Sequence, residues 1–390
     1  MKAGLIHYNL EVLGGAEVVA LYTMSALHSM NHDVYLCATS YPERERTLAR
    51  VGIDVTDWLK PEHYIYSNSN ISNMPVFSIY QRTVSSHFAI KKLARKFNPD
   101  YFIVTQGIAF MPRDCIDRTI MYVHYPMDYE LYHEKYEKGI WSLYAKPLRY
   151  IFRHLDYYKD YTLLANSMFT ADVIKKQWDR DAEVIYPPCP QYDFPIKEAR
   201  EANVCTLARF TPEKRYELIL EVARSMPEVN FHLIGSVTPF MQYYLAKLRK
   251  IATPNVHFHV AIPFQQKLEV LQNCRVLLHT MYGEHFGIAL VEAMSAGIIP
   301  VCHNSGGAKV DSIVPEQWRY EYEGPNEFTK KYKDTPVEDV SDVVSKVQAA
   351  LDKWTPTYAN ELRNRAKQYS PDSFKQNLQQ FVIRWLDGKN

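Results

Sequence analysis

The chain has 390 residues, which is more than one ordinary hydrophobic core organises, so we expect two domains. Its 45 Lys and Arg nearly balance its 44 Asp and Glu, which excludes a nucleic-acid binder that relies on a basic surface. The six cysteines form no C-x-x-C pair, and this pattern indicates buried free thiols in a reducing, cytoplasmic compartment. No uncharged apolar run approaches the roughly 18 residues that span a bilayer, and Glu11 comes too early for a secretory signal. We therefore expect a soluble protein or one bound to a membrane surface.

The chain begins with a strand–helix–strand pattern. Ala3 to His7 is a short apolar run typical of a buried strand, and Asp33 to Thr39 is the next. Between them, Gly14 and Gly15 open an apolar helix. A glycine pair at this junction would let the backbone approach a ligand closely, and a plain tight turn is the alternative.

Residues 41–73 are polar, charged and aromatic without a clear period, and the sequence predicts no element there. A basic helix is predicted for Phe77 to Phe97, followed by strands at Tyr101 to Thr105 and Thr119 to His124. His124 ends its strand just before a proline loop, and ligands of parallel sheets lie beyond such strand ends. It is therefore a candidate site residue, unless neighbouring backbone satisfies its ring.

The segment from Trp141 to Tyr158 interleaves aromatic and basic residues. It would lie on an anionic membrane surface, or else form an ordinary domain helix with a solvated basic side. The sequence leaves both interpretations open.

A stiff, proline-rich stretch from Tyr186 to Pro190 indicates a linker, and the alternation of strands and helices restarts at Val204. We predict an α/β protein with two doubly wound, Rossmann-like domains that face one another across a cleft. The predicted divisions are residues 1–189, residues 190–370 and a C-terminal helix at residues 371–390.

The most informative stretch reads LHTMYGEHFGIALVEAMSAGIIPVCHNSGGAKVDSIV, from Leu278 to Val314. A strand ending at Thr280, a helix from Gly287 to Ala296 and a strand from Ile298 form a βαβ unit. Glu284 then lies beside helix amides that attract a phosphate, where it would reach a neutral sugar hydroxyl. We expect Glu284, Gly287 and the turn at Gly306-Gly307 around one crevice.

Glu292 lies inside this helix among apolar residues. Burying a carboxylate there without a partner would cost roughly several kcal/mol of desolvation free energy. A ribose diol would satisfy both of its oxygens. The alternative is that Glu292 faces solvent on an amphipathic helix.

The spacing from Glu284 to Glu292, with Phe286-Gly287 between, resembles the E-x7-E signature of the retaining glycosyltransferases of family four, which have the GT-B fold. The wider wording HTMYGEHFGIALVEAMSAG, followed by HNSGGAKVD, is similar to members that extend a lipid-linked oligosaccharide with mannose from GDP-mannose. The resemblance implies a nucleotide-sugar donor, a glycan or lipid-linked acceptor, possible peripheral membrane contact and a C-terminal helix that returns to the first domain.

The resemblance also implies residue roles. Arg209 and Lys214 match an R-x4-K motif that contacts the donor diphosphate, and His124 belongs to an H-Y-P element that faces the transferred sugar. Glu284 would orient the sugar and Glu292 would hold the ribose. The remaining candidates for substrate binding, at the predicted phosphate cradle and along the donor, are Gly14, Gly15, His285, Phe286, Gly287 and Ile288.

A D-x-D pattern at Asp179-Arg180-Asp181 has the form of the metal site in the other large glycosyltransferase fold, but here it lies between a helix and a strand, as a solvated turn does. No other cluster has metal-ligand spacing, so we predict a metal-independent reaction without a cofactor.

Three alternatives share parts of this pattern. A transferase that uses UDP-glucose or UDP-N-acetylglucosamine would carry the same motifs, because nothing in them identifies the base. A nucleotide-sugar epimerase would not need an acceptor surface. A sugar-binding scaffold subunit without activity would keep the charged residues without turnover.

Overall fold

The computed structural model describes residues 1–11, 14–55, 58–67, 78–106, 111–126, 160–322 and 339–389, with a few single positions between 142 and 150. The chain divides into two compact units. Unit 1 comprises Met1–Pro188 and Pro371–Asn390, and unit 2 comprises Cys189–Ser370. The division falls inside the proline-rich stretch that follows Tyr186.

Unit 1 is built on a parallel sheet whose central strands are apolar and buried apart from Lys2 at the start of the first, as expected when helices cover both faces. Its strands are β1 (Lys2–Ile6), β2 (Asp33–Ala38), β3 (Tyr64–Tyr66), β4 (Tyr101–Val104), β5 (Thr119–Val123), β6 (Thr162–Ala165) and β7 (Glu183–Val184). They pair in the order β3-β2-β1-β4-β5-β6-β7. The carboxyl ends of β1, β4 and β5 therefore lie side by side.

Helices connect these strands. They are α1 (Gly15–Ser29), α2 (Arg44–Val51), α3 (Ser78–Phe97) and α4 (Met168–Trp178). Ser167 caps α4, because its hydroxyl accepts a hydrogen bond from the Thr170 amide. The C-terminal helix (Pro371–Asp387) belongs to this unit, where Phe374, Leu378 and Val382 join the core beneath α1.

Unit 2 repeats the same plan with a parallel sheet in the order β10-β9-β8-β11-β12-β13. Its strands are β8 (Asn203–Leu207), β9 (Phe231–Gly235), β10 (Val256–Val260), β11 (Cys274–His279), β12 (Ile299–His303) and β13 (Arg319–Tyr320). Its helices are α5 (Tyr216–Ser225), α6 (Gln242–Ile251), α7 (Phe264–Leu271), α8 (Ile288–Ser295), α9 (Gly306–Val310), α10 (Ser341–Lys353) and α11 (Pro356–Ala366). Loops that follow β8 and β11 meet at one edge, because these strands are neighbours.

The sequence predicted β1, α1, β2, α3, β4, β5 and the unit of β11, α8 and β12 to within a few residues. It missed α2 and β3, which lie in the region from 41 to 73, and the two-residue strand β13. Helix α2 is short and polar, and β3 is an edge strand of three residues. Neither element therefore produces a hydrophobic period in the sequence. The predicted helix from Trp141 to Tyr158 lies almost wholly outside the described residues.

The six cysteines are free thiols and all are buried, as predicted. Across the described ranges, no helix combines the length and the apolar character that crossing a bilayer requires.

A charged cluster at the edge of the second sheet as candidate active site

Two of the predicted charged residues meet at the carboxyl edge of the unit 2 sheet. Lys214 ends a short 3-10 turn after β8, and Glu284 lies in the loop between β11 and α8. The Lys214 Nζ atom lies 2.8 Å from Glu284 Oε2, and both side chains are largely buried. His279, the last residue of β11, brings its Nε2 atom to 2.9 Å from the same carboxylate oxygen. A cation, a carboxylate and an imidazole therefore converge on one point.

These neighbours determine the charge of Glu284. Burial alone would raise the pKa of the Glu284 carboxyl, but Lys214 and His279 more than offset it and hold that pKa well below its usual range. Burial lowers the pKa of the adjacent His285 to about 4, although Glu284 opposes the shift. At neutral pH the site therefore contains an ionised carboxylate beside a neutral His285.

A second loop holds the Glu284 segment in place. The Ser305 hydroxyl accepts a hydrogen bond from the Gly283 amide at 2.8 Å and lies 2.8 Å from His303 Nδ1. Burial, followed by the charge of Arg215, lowers the pKa of His303 to about 4, so its neutral ring can accept the Ser305 proton. The end of β12 thereby fixes the loop after β11.

The predicted turn at Gly306-Gly307 packs directly against this loop. The Gly307 amide donates to the Glu284 carbonyl at 2.8 Å. A Cβ on Gly306 would lie 2.2 Å from the Glu284 carbonyl oxygen, and one on Gly307 would lie 2.4 Å from the His285 carbonyl oxygen. Both glycines therefore permit contact between two backbones. The turn lies beside Glu284, and the crevice that the sequence predicted around them stays a prediction.

The next predicted residues lead into α8. Gly287 has a φ of +95° and precedes the first turn, where a Cβ would lie 2.6 Å from Leu290 Cδ1. The Phe286 side chain is buried and its ring forms an edge-to-face contact with Tyr369, so it packs in the core. Ile288 is half-buried at the start of the helix.

Arg209 lies on the loop after β8 and is exposed. Within the part of the chain that the structure describes, its guanidinium has no hydrogen-bond or ion-pair partner. The structure therefore joins Lys214 to Glu284 but leaves Arg209 outside that cluster, as a cation on the same edge of the sheet.

Glu292 has internal partners that the sequence did not predict. It is 9% exposed, and its Oε1 atom accepts a hydrogen bond of 2.5 Å from the Tyr192 hydroxyl and forms an ion pair with Lys267 on α7. Burial, followed by Glu292 itself, raises the pKa of Tyr192, so this hydroxyl stays a donor. Among the described residues, no donor contacts Oε2.

This arrangement contradicts one of the two sequence interpretations of Glu292. The carboxylate does not face solvent on an amphipathic helix. Tyr192 and Lys267 both contact Oε1, and the contact of Glu292 with a ribose diol stays a prediction. One carboxylate oxygen, Oε2, is left for a ligand hydroxyl.

The unit 1 candidates lie at the carboxyl edge of their own sheet. His124 follows β5, and its Nε2 atom lies 3.0 Å from the Thr105 carbonyl oxygen, so backbone does satisfy part of the ring. The Thr105 hydroxyl lies 3.0 Å from Nδ1 of the buried His7, which follows β1. His7 directly follows a strand, as His124 does, but it was not among the predicted site residues.

Glu17 connects this histidine pair to the glycine turn. Its Oε2 atom accepts a hydrogen bond of 2.9 Å from the Gly14 amide, and its Oε1 atom lies 3.7 Å from His7 Nε2. Gly15 is the first residue of α1. The Gly14-Gly15 turn is thus held by the first turn of its own helix.

The D-x-D pattern forms a solvated turn, as predicted. Asp179 and Asp181 are almost fully exposed, and both lie against Lys175 at the end of α4. In the described ranges, no three residues of the metal-binding types are grouped so that they could hold an ion.

Taken together, the unit 2 edge can bind an anion and a polyol. Lys214 and Arg209 both follow β8 at this edge, and such cations attract a phosphate. Glu284 and Glu292 provide carboxylate oxygens that accept hydrogen bonds from hydroxyl groups. A sugar joined to a phosphate combines these two chemistries.

Sequence comparison agrees with this chemistry and with the fold. The family description "Glycosyltransferase Family 4" matches residues 13–191, and "Glycosyl transferases group 1" matches residues 193–315. The two ranges nearly adjoin and together cover most of the chain. The chain belongs to the glycosyltransferases of the GT-B fold.

Three curated relatives of the chain share one enzyme name. The chain is similar to the GDP-Man:Man(3)GlcNAc(2)-PP-Dol alpha-1,2-mannosyltransferase of Yarrowia lipolytica, with 33% identity over 181 residues, or 39% of this chain and 28% of that protein. The Xenopus laevis enzyme is 33% identical over 177 residues, 40% of this chain and 36% of that protein. The human enzyme is 30% identical over 178 residues, with the same two shares. The matched part of the chain spans about a third of the length of these relatives.

Solved structures show the same fold at low identity. Sucrose-phosphate synthase from Thermosynechococcus elongatus superimposes with a TM-score of 0.71 at 14% identity, over all of both chains. WaaG, a glycosyltransferase of lipopolysaccharide biosynthesis, gives 0.65 at 14% identity over 97% of this chain and 99% of that one. Anabaena HepE, solved with UDP and glucose, gives 0.63 at 17% identity over 98% and 99%.

Proposed function

We propose that this chain transfers mannose from GDP-mannose to a lipid-linked glycan, with retention of the anomeric configuration. The observation that carries the proposal is the cluster of Lys214, Glu284 and His279 at the edge of the unit 2 sheet. The named relatives support the choice of donor and acceptor. The transfer would take place in the cytoplasm, at a membrane surface that the protein contacts peripherally.

In the proposed reaction, the bond between the anomeric carbon and the diphosphate oxygen breaks while a bond to the acceptor oxygen forms on the same face. The departing phosphate oxygen takes the proton of the acceptor hydroxyl. Lys214 and Arg209 stabilise the charge that develops on the diphosphate, a task that a metal ion performs in other enzymes. No pair of acid and base carboxylates is needed, unlike in a glycosidase.

The two glutamates would hold the donor at either end. Glu284, kept ionised by Lys214 and His279, accepts a hydrogen bond from the sugar. Glu292 accepts one from the ribose through Oε2, while Tyr192 and Lys267 hold Oε1. The proposed contact of the transferred sugar is His124, and that of the diphosphate is the turn at Gly14-Gly15.

Release of nucleoside diphosphate from a panel of GDP- and UDP-sugars tests the proposal. The assay contains EDTA and is run with and without an extract of lipid-linked acceptors. We expect release from GDP-mannose, increased by the acceptor. Release from a UDP-sugar would contradict the donor, an altered free nucleotide sugar would indicate an epimerase, and binding without release would indicate a scaffold.

Tyr192→Phe tests how Glu292 is positioned. The variant loses the hydroxyl that donates to Glu292 Oε1, so the carboxylate is free to turn toward Lys267. We expect the KM for the donor to rise about tenfold with little change in kcat, because a hydrogen bond to a charged group is lost. Steady-state kinetics with varied donor measures this split.

Tyr244→Phe is the matched control. Its hydroxyl donates to Glu217 Oε2 at 2.7 Å, and Lys247 lies 3.8 Å from the same carboxylate group. Tyr244 is as buried as Tyr192 and lies in the same unit. Equal rises of the donor KM in both variants would mean that Tyr192 acts on folding alone.

A further inference from the structure

Helix α3 has a buried face and an exposed face of unusual composition. Ala89, Ile90 and Leu93 are buried in the unit 1 core beneath the helix. The opposite stripe repeats at helical spacing and is exposed along its length. We call it the basic face of α3, and its residues are Val84, Phe88, Lys91, Lys92, Arg95 and Lys96.

The charge of this face is not balanced locally. The twenty residues from Ser78 to Phe97 contain no Asp or Glu, although the whole chain has a formal net charge of only +1. Within the described ranges, none of the four cations has an ion-pair partner. Positive charge is therefore concentrated on one helix of a protein whose total charge is close to zero.

Ordinary helix stability accounts for part of this pattern. Cations in the last turn, such as Arg95 and Lys96, interact favourably with the helix dipole. That effect does not explain why Phe88 is 66% exposed and Val84 is 55% exposed on the same stripe. The outer face of a solvated helix is normally polar, and a large apolar side chain at its centre is typical of an interaction surface.

We propose that the basic face of α3 docks on an anionic lipid bilayer. A surface that combines cations with exposed apolar side chains fits the boundary between lipid headgroups and acyl chains. The cations attract the phosphate and serine carboxylate groups of the lipids, and the apolar side chains enter the acyl layer. A nucleic acid would need only the cations of this face. The exposed Phe88 and Val84 therefore favour a bilayer over a nucleic acid as the partner. The proposal deepens the peripheral membrane contact of the proposed function and would bring the enzyme to a lipid-linked acceptor.

Co-sedimentation of the full chain with vesicles tests the proposal. The vesicles contain phosphatidylcholine and phosphatidylserine in roughly a three to one ratio, or phosphatidylcholine alone. No donor or acceptor is present, so the result does not depend on transfer activity. We expect binding to the anionic vesicles, little binding to the neutral ones and release at high salt.

Two variants separate the contributions of charge and apolar contact. Replacing Lys91, Lys92 and Arg95 together with Gln should weaken vesicle binding about a hundredfold, since each cation near the surface adds to the attraction. Phe88→Ser should weaken it about tenfold, because its ring no longer enters the apolar layer. All four residues are exposed, so both variants should keep the melting temperature of the wild type.

A charge-matched control replaces Lys247, Lys250 and Lys353 of unit 2 with Gln. These lysines are also exposed, and the first two follow the exposed Phe240 and Tyr243, so the control examines another aromatic and basic surface as well. The control should bind vesicles as the wild type does. An equal loss in the control, or wild-type binding by both α3 variants, would overturn the proposal. It would also fail if those variants lost affinity for a duplex oligonucleotide and not for vesicles.

Discussion

The Lys214→Ala variant is expected to transfer sugar on the order of 10²- to 10³-fold more slowly than the wild type, as when one donor to a developing negative charge is removed. In the proposed reaction the Lys214 ammonium stabilises the departing diphosphate. The same ammonium lies 2.8 Å from Glu284 Oε2 and helps keep that carboxylate ionised. Single-turnover rates at saturating donor measure the effect on the chemical step directly.

Two further variants show whether charge at this position causes the loss. Lys214→Arg keeps a cation and should recover part of the rate. Lys309→Ala removes an exposed lysine from the nearby helix α9 and should change nothing. A folded Lys214→Ala enzyme with an unchanged rate would contradict the role proposed for Lys214.

The second large effect is expected from Gly306→Ala. Gly306 has a φ of +60°, which costs a residue with a side chain about 1–2 kcal/mol. Its Cβ would also lie 2.2 Å from the Glu284 carbonyl oxygen and 2.8 Å from the Glu284 amide nitrogen, so the loop that carries Glu284 must move. We expect the rate of sugar transfer to fall about tenfold or more, because catalysis depends on where the Glu284 carboxylate lies. Kinetics and urea unfolding of the same preparation measure both effects.

Gly283→Ala separates backbone strain from displacement of the loop. Gly283 has a φ of +62°, nearly that of Gly306, but a Cβ there would meet nothing within 4 Å. The two variants should therefore lose similar stability from strain, while Gly306→Ala loses more stability and far more activity. Equal activities in the two variants would show that the contact between Gly306 and Glu284 does not position the carboxylate.

The parallel sheets were predictable because their strands are short apolar runs buried on both faces. β1, β4, β5, β8 and β12 each stand out from polar surroundings for this reason. The polar helix α2 and the edge strand β3 have no such contrast, since each buries little apolar surface.

The meeting of Lys214 with Glu284 was also predictable, because both follow neighbouring strands of one parallel sheet. The partners of Glu292 were not. Tyr192 lies 100 positions away in the sequence, and Lys267 lies on another helix, so no local spacing brings either of them to Glu292. The need for a partner could be inferred from the apolar helix, but its identity depends on tertiary packing.

Close backbone packing was likewise beyond the sequence. The pair Gly306-Gly307 indicated a turn, but only the structure shows that the Glu284 backbone occupies the space where side chains would lie. His279 could have been found, since it lies at the carboxyl end of a strand, where His124 also lies.

The mass of a lipid-linked glycan acceptor, measured after incubation with GDP-mannose and this protein, tests the central proposal most directly. We expect the acceptor to gain one hexose with the wild-type chain and none with Glu284→Gln, which keeps the shape of the side chain but removes its charge. An acceptor whose mass does not change with the wild-type chain, while another nucleotide sugar or another acceptor is converted, would contradict the proposed mannosyl transfer.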